Sequence, residues 1–495
     1  MEKYDVIIIG AGLGGLLVAN ILSREGYNVC LIEKNSQLGG CLQVFGRDNC
    51  IFNTGLNYTE ALGEGQILNR YFKYFGIMEE LPVKQLDKNC FELITFKDQE
   101  YAFAQGHENF VETLSNQFPS ERSNLKKYIS QLATVSNQFP LYNIDAPLDF
   151  NTNLFEGPSA YDYLSSVTSN SDLQQVLAGT NLLYAGVKNK TPMYIHALIN
   201  YSFITSAWRI PGGSHQLVQL LVKSIIKNGV TILRRSKVDK LILEKNTIKY
   251  VQLANGNKLS AQFVISNAHP SITLSMLEGE YKGKSYFNRI HSLENTTGMF
   301  TLYITLKENS TKYINYNHYY FATDSVWTIG KQDNKLWPAS YMLYTPSTTT
   351  DQEYAENIIA MTYMSMDVLK QWENTRVEQR GESYIAFKQQ KAEQFIDLIV
   401  KKFPAFRSNI KSYYTSTPLT YRDYTGTPDG SAYGVLKDYQ NPVKSIVMPK
   451  TKIPNLFFTG QNLNLHGILG VTIGAVMTCG ELVGLTHLME KIKNC

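Results

Sequence analysis

The chain has 495 residues, enough for two or three domains. Hydrophobic residues make up 43% and charged residues 18%, below the roughly 25% charged share of an average globular protein, which suits a large core and a wide apolar cavity. A net charge of +4 with no basic stripe or Lys/Arg block argues against nucleic acid as a partner and leaves only peripheral contact with a membrane surface open.

Six cysteines stand at 30, 41, 50, 90, 479 and 495, without a C-x-x-C pair or a metal-type Cys/His cluster. The expectation is free thiols in a reducing cytoplasm and no metal. Met1-Glu2-Lys3 leads straight into a strand rather than a signal peptide. Residues 6–22 and Ile468 to Val483 are mostly apolar, but neither gives 18 uninterrupted apolar residues, so no membrane span is expected.

Val6-Ile7-Ile8-Ile9 is a β-branched apolar run of the kind buried on both faces of a parallel sheet. Gly10, Gly12 and Gly15 follow in the spacing G-x-G-x-x-G. The first glycine permits the sharp turn, the second lets a pyrophosphate approach the backbone, and the third lets the next helix pack close to the strand. That helix is expected from Gly14 to about Glu25, with Gly26 as its C-terminal stop. A second strand over 27–32 ends at Glu33, about 20 residues on, where an acid can accept the hydroxyls of an adenosine ribose. Gly39-Gly40 follows, either as a second approach to the dinucleotide or as a plain turn.

A second α/β stretch opens at Pro211-Gly212-Gly213, with Ser214 as the N-cap of a helix that stops at Gly229. Strands are expected at 230–233, 238–243, 248–253 and 259–266, with Asn255-Gly256 as a hairpin turn. A third piece holds the strand Leu456–Phe458, then Gly460, a polar loop and a long helix beginning near Gly470. Between these pieces, Val111–Gln117, Tyr354–Thr362 and Ala386–Lys402 read as helical, and Met299–Leu306 and Trp337–Thr345 as strands.

The fold class is therefore α/β (α+β overall): a discontinuous Rossmann-type FAD-binding domain over 1–58, 210–275 and 450–495, with an inserted substrate-binding domain over 59–209 and 276–449. FAD is favoured over NAD by the second glycine pair, by the absence of another G-x-G-x-x-G, and by the glycine-rich C-terminal helix start. A helix N-terminus there suits the negative charge of a reduced flavin.

These pieces resemble the flavoprotein family of phytoene desaturases, carotenoid isomerases and retinol saturases, related more distantly to the amine oxidases. The matching text is DVIIIGAGLGGL at 5–16, E-x5-GG at 33–40, FNTGLNY at 52–58, IPGGSHQLVQLL at 210–221 and the strand at Val238. It continues with VISNAHP at 264–270, TPLTYRDYTGTPDGSAYG at 417–434 and LFFTGQNLNLHGILGV at 456–471. The resemblance implies FAD held by Gly10, Gly12, Leu13, Gly14, Gly15, Glu33, Lys34, Gly39 and Gly40. It extends the cofactor site to Val238, Asn267, Gly460, Gln461, Gly470 and Val471. Three positions depart from the pattern. Gln461 stands where an acid often follows the glycine, and Asn53 and Asn57 stand where related sequences often carry aspartate and histidine.

His466, before the C-terminal helix, is read either as a group that orients substrate or shuttles a proton, or as a structural histidine. Tyr421 and Arg422 either anchor a polar end of the substrate or seal a domain interface. Arg209 and Asn57 carry the same two readings, a ligand contact or a structural partner. The aromatics Tyr71, Phe72, Tyr74 and Phe75, and Tyr313, Tyr316, Tyr319, Tyr320 and Phe321, either line a tunnel or pack as ordinary core. The implied activity is an FAD-dependent oxidoreductase changing the saturation or geometry of C–C and C=C bonds in an apolar polyene or isoprenoid-like small molecule, its electron partner left open. An amine oxidase-like enzyme and a non-catalytic flavin-containing carrier of a lipid pigment are the alternatives.

Overall fold

A computed structural model of the protein describes residues 2–148, 155–281, 283–328, 337–349, 351–463 and 465–495. Its first strand, Glu2–Ile9, lies in parallel between Val29–Ile32 and Lys258–Ser266, with Ile7 opposite Cys30 and Val264. Val6 to Ile9 are buried on both faces, as the continuous apolar run requires. Thr231–Leu233 extends the sheet beyond Val29–Ile32, and Leu456–Phe458 pairs with the far side of Lys258–Ser266, both in parallel. Val238–Glu244 and Thr247–Leu253 complete an antiparallel meander with Lys258–Ser266. With the short strand Leu277–Glu278, eight strands among the described residues form this sheet, drawn from the beginning, middle and end of the chain.

The helix Leu13–Arg24 has ten of its twelve residues buried, because two further helices, His215–Lys227 and Gly467–Val483, pack against it. Ser214 takes the N-cap position expected of it, but its hydroxyl donates to the Leu42 carbonyl instead of capping the helix. The last long helix begins at Gly467 rather than near Gly470, since His466 is the extended residue that ends the loop.

A second sheet of seven strands among the described residues runs in the order Ile410–Ser416, Gly298–Leu306, Asn357–Met364, Ser340–Tyr344, Asn317–Phe321, Glu92–Phe96, Gln99–Phe103. The segment Tyr354–Thr362, expected to be helical, is a correction: Asn357–Met364 is a central strand with every residue buried. A strand covered on both faces shows no alternation, so its apolar run cannot be told from a buried helix by periodicity. The helix Gly381–Lys402 covers one face of this sheet, and Arg122–Gln138 and Met193–Thr205 lie in the core on the other. Among the described residues, no helix is long and apolar enough to cross a membrane.

Candidate active site

A cavity of about 540 Å³ lies between the two sheets. At one end it is lined by Gly10, Gly12, Leu13 and Gly14, the turn out of the first strand and the start of its helix. The first intrahelical bond runs from the Leu16 N–H to the Gly12 carbonyl, and no side chain caps this end. The N–H groups of Leu13, Gly14 and Gly15 therefore make an anion site. Gly15 faces backward: a Cβ there would lie 2.1 Å from the Gly10 carbonyl oxygen, so helix and strand touch only because it is glycine. A Cβ on Gly14 would lie 2.6 Å from Asn267 Oδ1 and 2.9 Å from Gly460 Cα.

Glu33 is buried and on the cavity wall. Its two carboxylate oxygens accept the Ala11 N–H and the Asn35 N–H, each at 2.9 Å. One bond apiece leaves each oxygen able to accept a ribose hydroxyl as well. Lys34 and Val238 line the same end. Lys34 Nζ donates to the Asp423 carbonyl at 2.9 Å and Asn35 Nδ2 to the Tyr424 carbonyl at 2.9 Å, tying the 417–434 segment across the opening.

Gly39 and Gly40 continue the wall, Gly39 bridging in parallel to Gly12. Asn267, Gln461, Gly470 and Val471 line it too, whereas Gly460 packs behind Asn267, where a Cβ would lie 2.3 Å from Asn267 Oδ1. Gly15 and Gly460 thus shape the site from outside the cavity wall. Asn57 faces the cavity beside Met361, with its Oδ1 buried and unpartnered. That atom suits a donor on a bound ring, and the uncapped helix end suits a pyrophosphate: the residues present fit a flavin dinucleotide.

Beyond Asn57 the lining turns apolar and aromatic, with Leu183, Leu198, Ile199, Phe203, Tyr344 and Ile468. His466 lies here. Its Nε2–H donates to the Leu183 carbonyl at 2.9 Å and its ring stacks on Tyr433, centroids 4.2 Å apart. Burial pushes its pKa down to about 4, and the nearby Lys437 ammonium adds to the effect, so the ring is neutral with an unprotonated Nδ1. Lys437 is itself buried, donating to the carbonyls of Ser445, Asn462 and Leu463, which pins the loop after Gly460.

Tyr421 is on the cavity wall, but its hydroxyl donates to the Thr54 carbonyl at 3.3 Å. Arg422 is a correction. It turns away from the cavity, donating to the Glu373 carbonyl at 2.6 Å and pairing with Asp423 at 3.0 Å, because the short helix Pro418–Thr425 puts adjacent side chains on different faces. Arg209 is likewise structural, fully buried and donating to Tyr313, Asn317 and the carbonyls of Ile314, Thr345 and Tyr316. The nine aromatics considered as tunnel residues are absent from the wall. Tyr71, Phe72, Tyr74 and Phe75 pack under the first sheet and Tyr319, Tyr320 and Phe321 in the second, while Tyr313 holds Arg209 and Tyr316 accepts from it. The aromatic wall comes instead from Tyr58, Tyr142, Phe203, Tyr344 and Tyr433. Glu60, an acid two residues beyond the FNTGLNY motif, also lines the cavity. Its place two residues beyond that motif was the available signal.

A family model described as an NAD(P)-binding Rossmann-like domain matches residues 8–75. The human all-trans-retinol 13,14-reductase is 24% identical over 540 residues, covering 100% of this chain and 87% of that protein. The chloroplastic prolycopene isomerase of Daucus carota is 22% identical over 519 residues, covering 99% of this chain and 82% of its own. Among solved structures, the cyclohexylamine oxidase of Brevibacterium oxydans superposes with a TM-score of 0.62 at 14% identity, covering 99% of each chain, a likeness of fold. Over its whole length the chain is thus similar to a retinol 13,14-reductase and to a prolycopene isomerase.

Proposed function

We propose that the protein is an FAD-dependent oxidoreductase that changes the saturation or geometry of C–C and C=C bonds in an apolar polyene or isoprenoid-like small molecule. The observation that carries the reading is one continuous cavity, running from an uncapped helix end at Leu13–Gly15 to an apolar aromatic wall beside the start of the Gly467 helix. The names of the human and carrot relatives, a retinol reductase and a prolycopene isomerase, support a polyene in the apolar half. Bound FAD supplies two-electron chemistry at a carbon–carbon bond. The chain's residues supply the rest. Leu13, Gly14 and Gly15 offer N–H groups to the pyrophosphate, Glu33 accepts the ribose hydroxyls, and Lys34 and Val238 border the adenine. Asn57, Gln461, Gly470 and Val471 surround the ring system, and Leu198, Ile199, Phe203 and Tyr344 exclude water from the substrate.

The first sheet draws almost all its strands from 1–58, 210–275 and 450–495, which supports assigning the cofactor to a domain of those segments and the substrate to 59–209 and 276–449. Six free cysteines support a cytoplasmic location, with the apolar substrate drawn from a membrane surface. The test is the cofactor itself. The purified protein is expected to be yellow and to release FAD, about one per chain, on denaturation, read by absorbance and mass. A colourless protein, or one releasing a nicotinamide dinucleotide, overturns the reading.

A further inference from the structure

We infer that Glu60 is the residue that gives and takes the proton at the reacting carbon. The inference rests on the reading of the cavity as a polyene site beside a flavin. Glu60 ends the two-residue strand Thr59–Glu60, held opposite Ala207 on the strand Ala207–Arg209. It is 7% exposed and lines the cavity. Its Oε2 accepts the Thr59 hydroxyl at 3.0 Å and its Oε1 accepts the Leu469 N–H at 3.3 Å, on the first turn of the Gly467 helix. The carboxyl is therefore fixed at the junction between the ring end of the cavity, marked by Gly470 and Val471, and the apolar end, marked by Leu198 and Phe203.

Of the other proton-bearing groups on the wall, three are engaged elsewhere. The one N–H of His466 goes to Leu183, the Tyr421 hydroxyl to Thr54 and the Tyr58 hydroxyl to Glu92. The remaining carboxyls on the wall, Glu33 and Asp239, border the nucleotide end. Burial raises the Glu60 pKa, while its own N–H, the Thr59 hydroxyl and the Leu469 N–H pull the other way. Tyr142, also on the wall, is the titratable group that feels its charge. Arg209, on the neighbouring strand, is turned to Tyr313 and Asn317, and the first turn of the Gly467 helix brings no acid.

The step balances simply. The Glu60 O–H bond breaks and a C–H bond forms from the π pair of the polyene, leaving a cation delocalised along the conjugated chain. Return of the same proton to the carboxylate after rotation gives an isomer with no net redox change. A two-electron-reduced flavin, when bound, would supply hydride to that cation to give the saturated bond, and water would reprotonate the Glu60 carboxylate. General acid catalysis of this kind contributes roughly 10²–10⁴-fold.

The test uses the holoprotein, reduced without oxygen, with all-trans-retinol as probe. In wild type the rate falls as pH rises through the Glu60 pKa, and in D₂O the product gains one deuterium from solvent. Glu60→Gln is expected to keep its flavin and spectrum, to lose about 100-fold or more in rate and to lose that pH limb. Glu60→Asp should recover part of the rate with the limb displaced. In the cofactor-free protein, the infrared difference between wild type and Glu60→Gln should hold a protonated-carboxyl band that fades as pH rises. A Glu60→Gln protein that turns over within a few-fold of wild type with the same limb overturns the inference. So does one that has lost its flavin, since the role is then to hold the Gly467 helix. A flavin-loaded wild type inert toward retinol and toward carotenoid probes is a different outcome: it removes the polyene reading and this inference with it.

Discussion

Glu92 is a second buried carboxyl, set among phenols rather than cations. The Tyr58 hydroxyl donates to its Oε1 at 2.5 Å and the Tyr319 hydroxyl at 3.4 Å, and the Tyr58 ring faces the cavity. Burial pushes the Glu92 pKa up to about 8 against the two phenols, which lower it. The native state therefore holds a proton that the unfolded chain releases. This contribution to stability is full below about pH 4.5, declines as pH rises, and is lost above about pH 8. At about 1.36 kcal/mol per unit the decline is on the order of 5 kcal/mol. Glu92→Gln is expected to remove that pH dependence, so the gap between wild-type and variant urea midpoints changes between pH 5 and 8. An unchanged gap contradicts the account. At this scale the sequence was most legible where partners are close along the chain, as in the Gly10–Gly15 turn. Arg209, Tyr58 and Glu60 take partners more than thirty residues away, and no local spacing announces such pairs.

The helix Leu13–Arg24 depends on one contact that a methyl group would destroy. Gly15→Ala puts its Cβ against the Gly10 carbonyl oxygen, and backbone on both sides leaves little room to give. The expected cost is about 3 kcal/mol, with flavin occupancy falling because the same shift displaces the Leu13 and Gly14 N–H groups. Thermal melting of the apoprotein and flavin content of the purified variant check both. A variant with wild-type melting and full flavin would contradict the geometry. The elements of the first sheet were readable because each is bounded by glycine, proline or a cap and follows the βαβ pattern. The second sheet was harder. Its strands Gly298–Leu306 and Asn357–Met364 are wholly buried, so the pattern of residues carries no face, and the second was mistaken for a helix.

Across the whole molecule, the cavity joins segments far apart in the chain: Glu33 and Lys34, Val238, Asn267, Tyr344 and Met361, Tyr421, and the start of the Gly467 helix. The order of the motifs anticipated the glycine-lined half of the cavity. The apolar half comes from stretches without a motif, where Tyr142, Leu198, Phe203 and Tyr344 are ordinary apolar and aromatic residues until the sheets bring them together. An amine oxidase shares this architecture, so fold alone does not separate the two chemistries. The most direct measurement mixes the holoprotein anaerobically with polyenes and with amines while the flavin absorbance is followed. All-trans-retinol or a carotenoid is expected to change its own absorption with the protein, in the reduced or oxidised state, and amines to leave the oxidised flavin untouched. Bleaching of the flavin by an amine, with no response to any polyene, would contradict it.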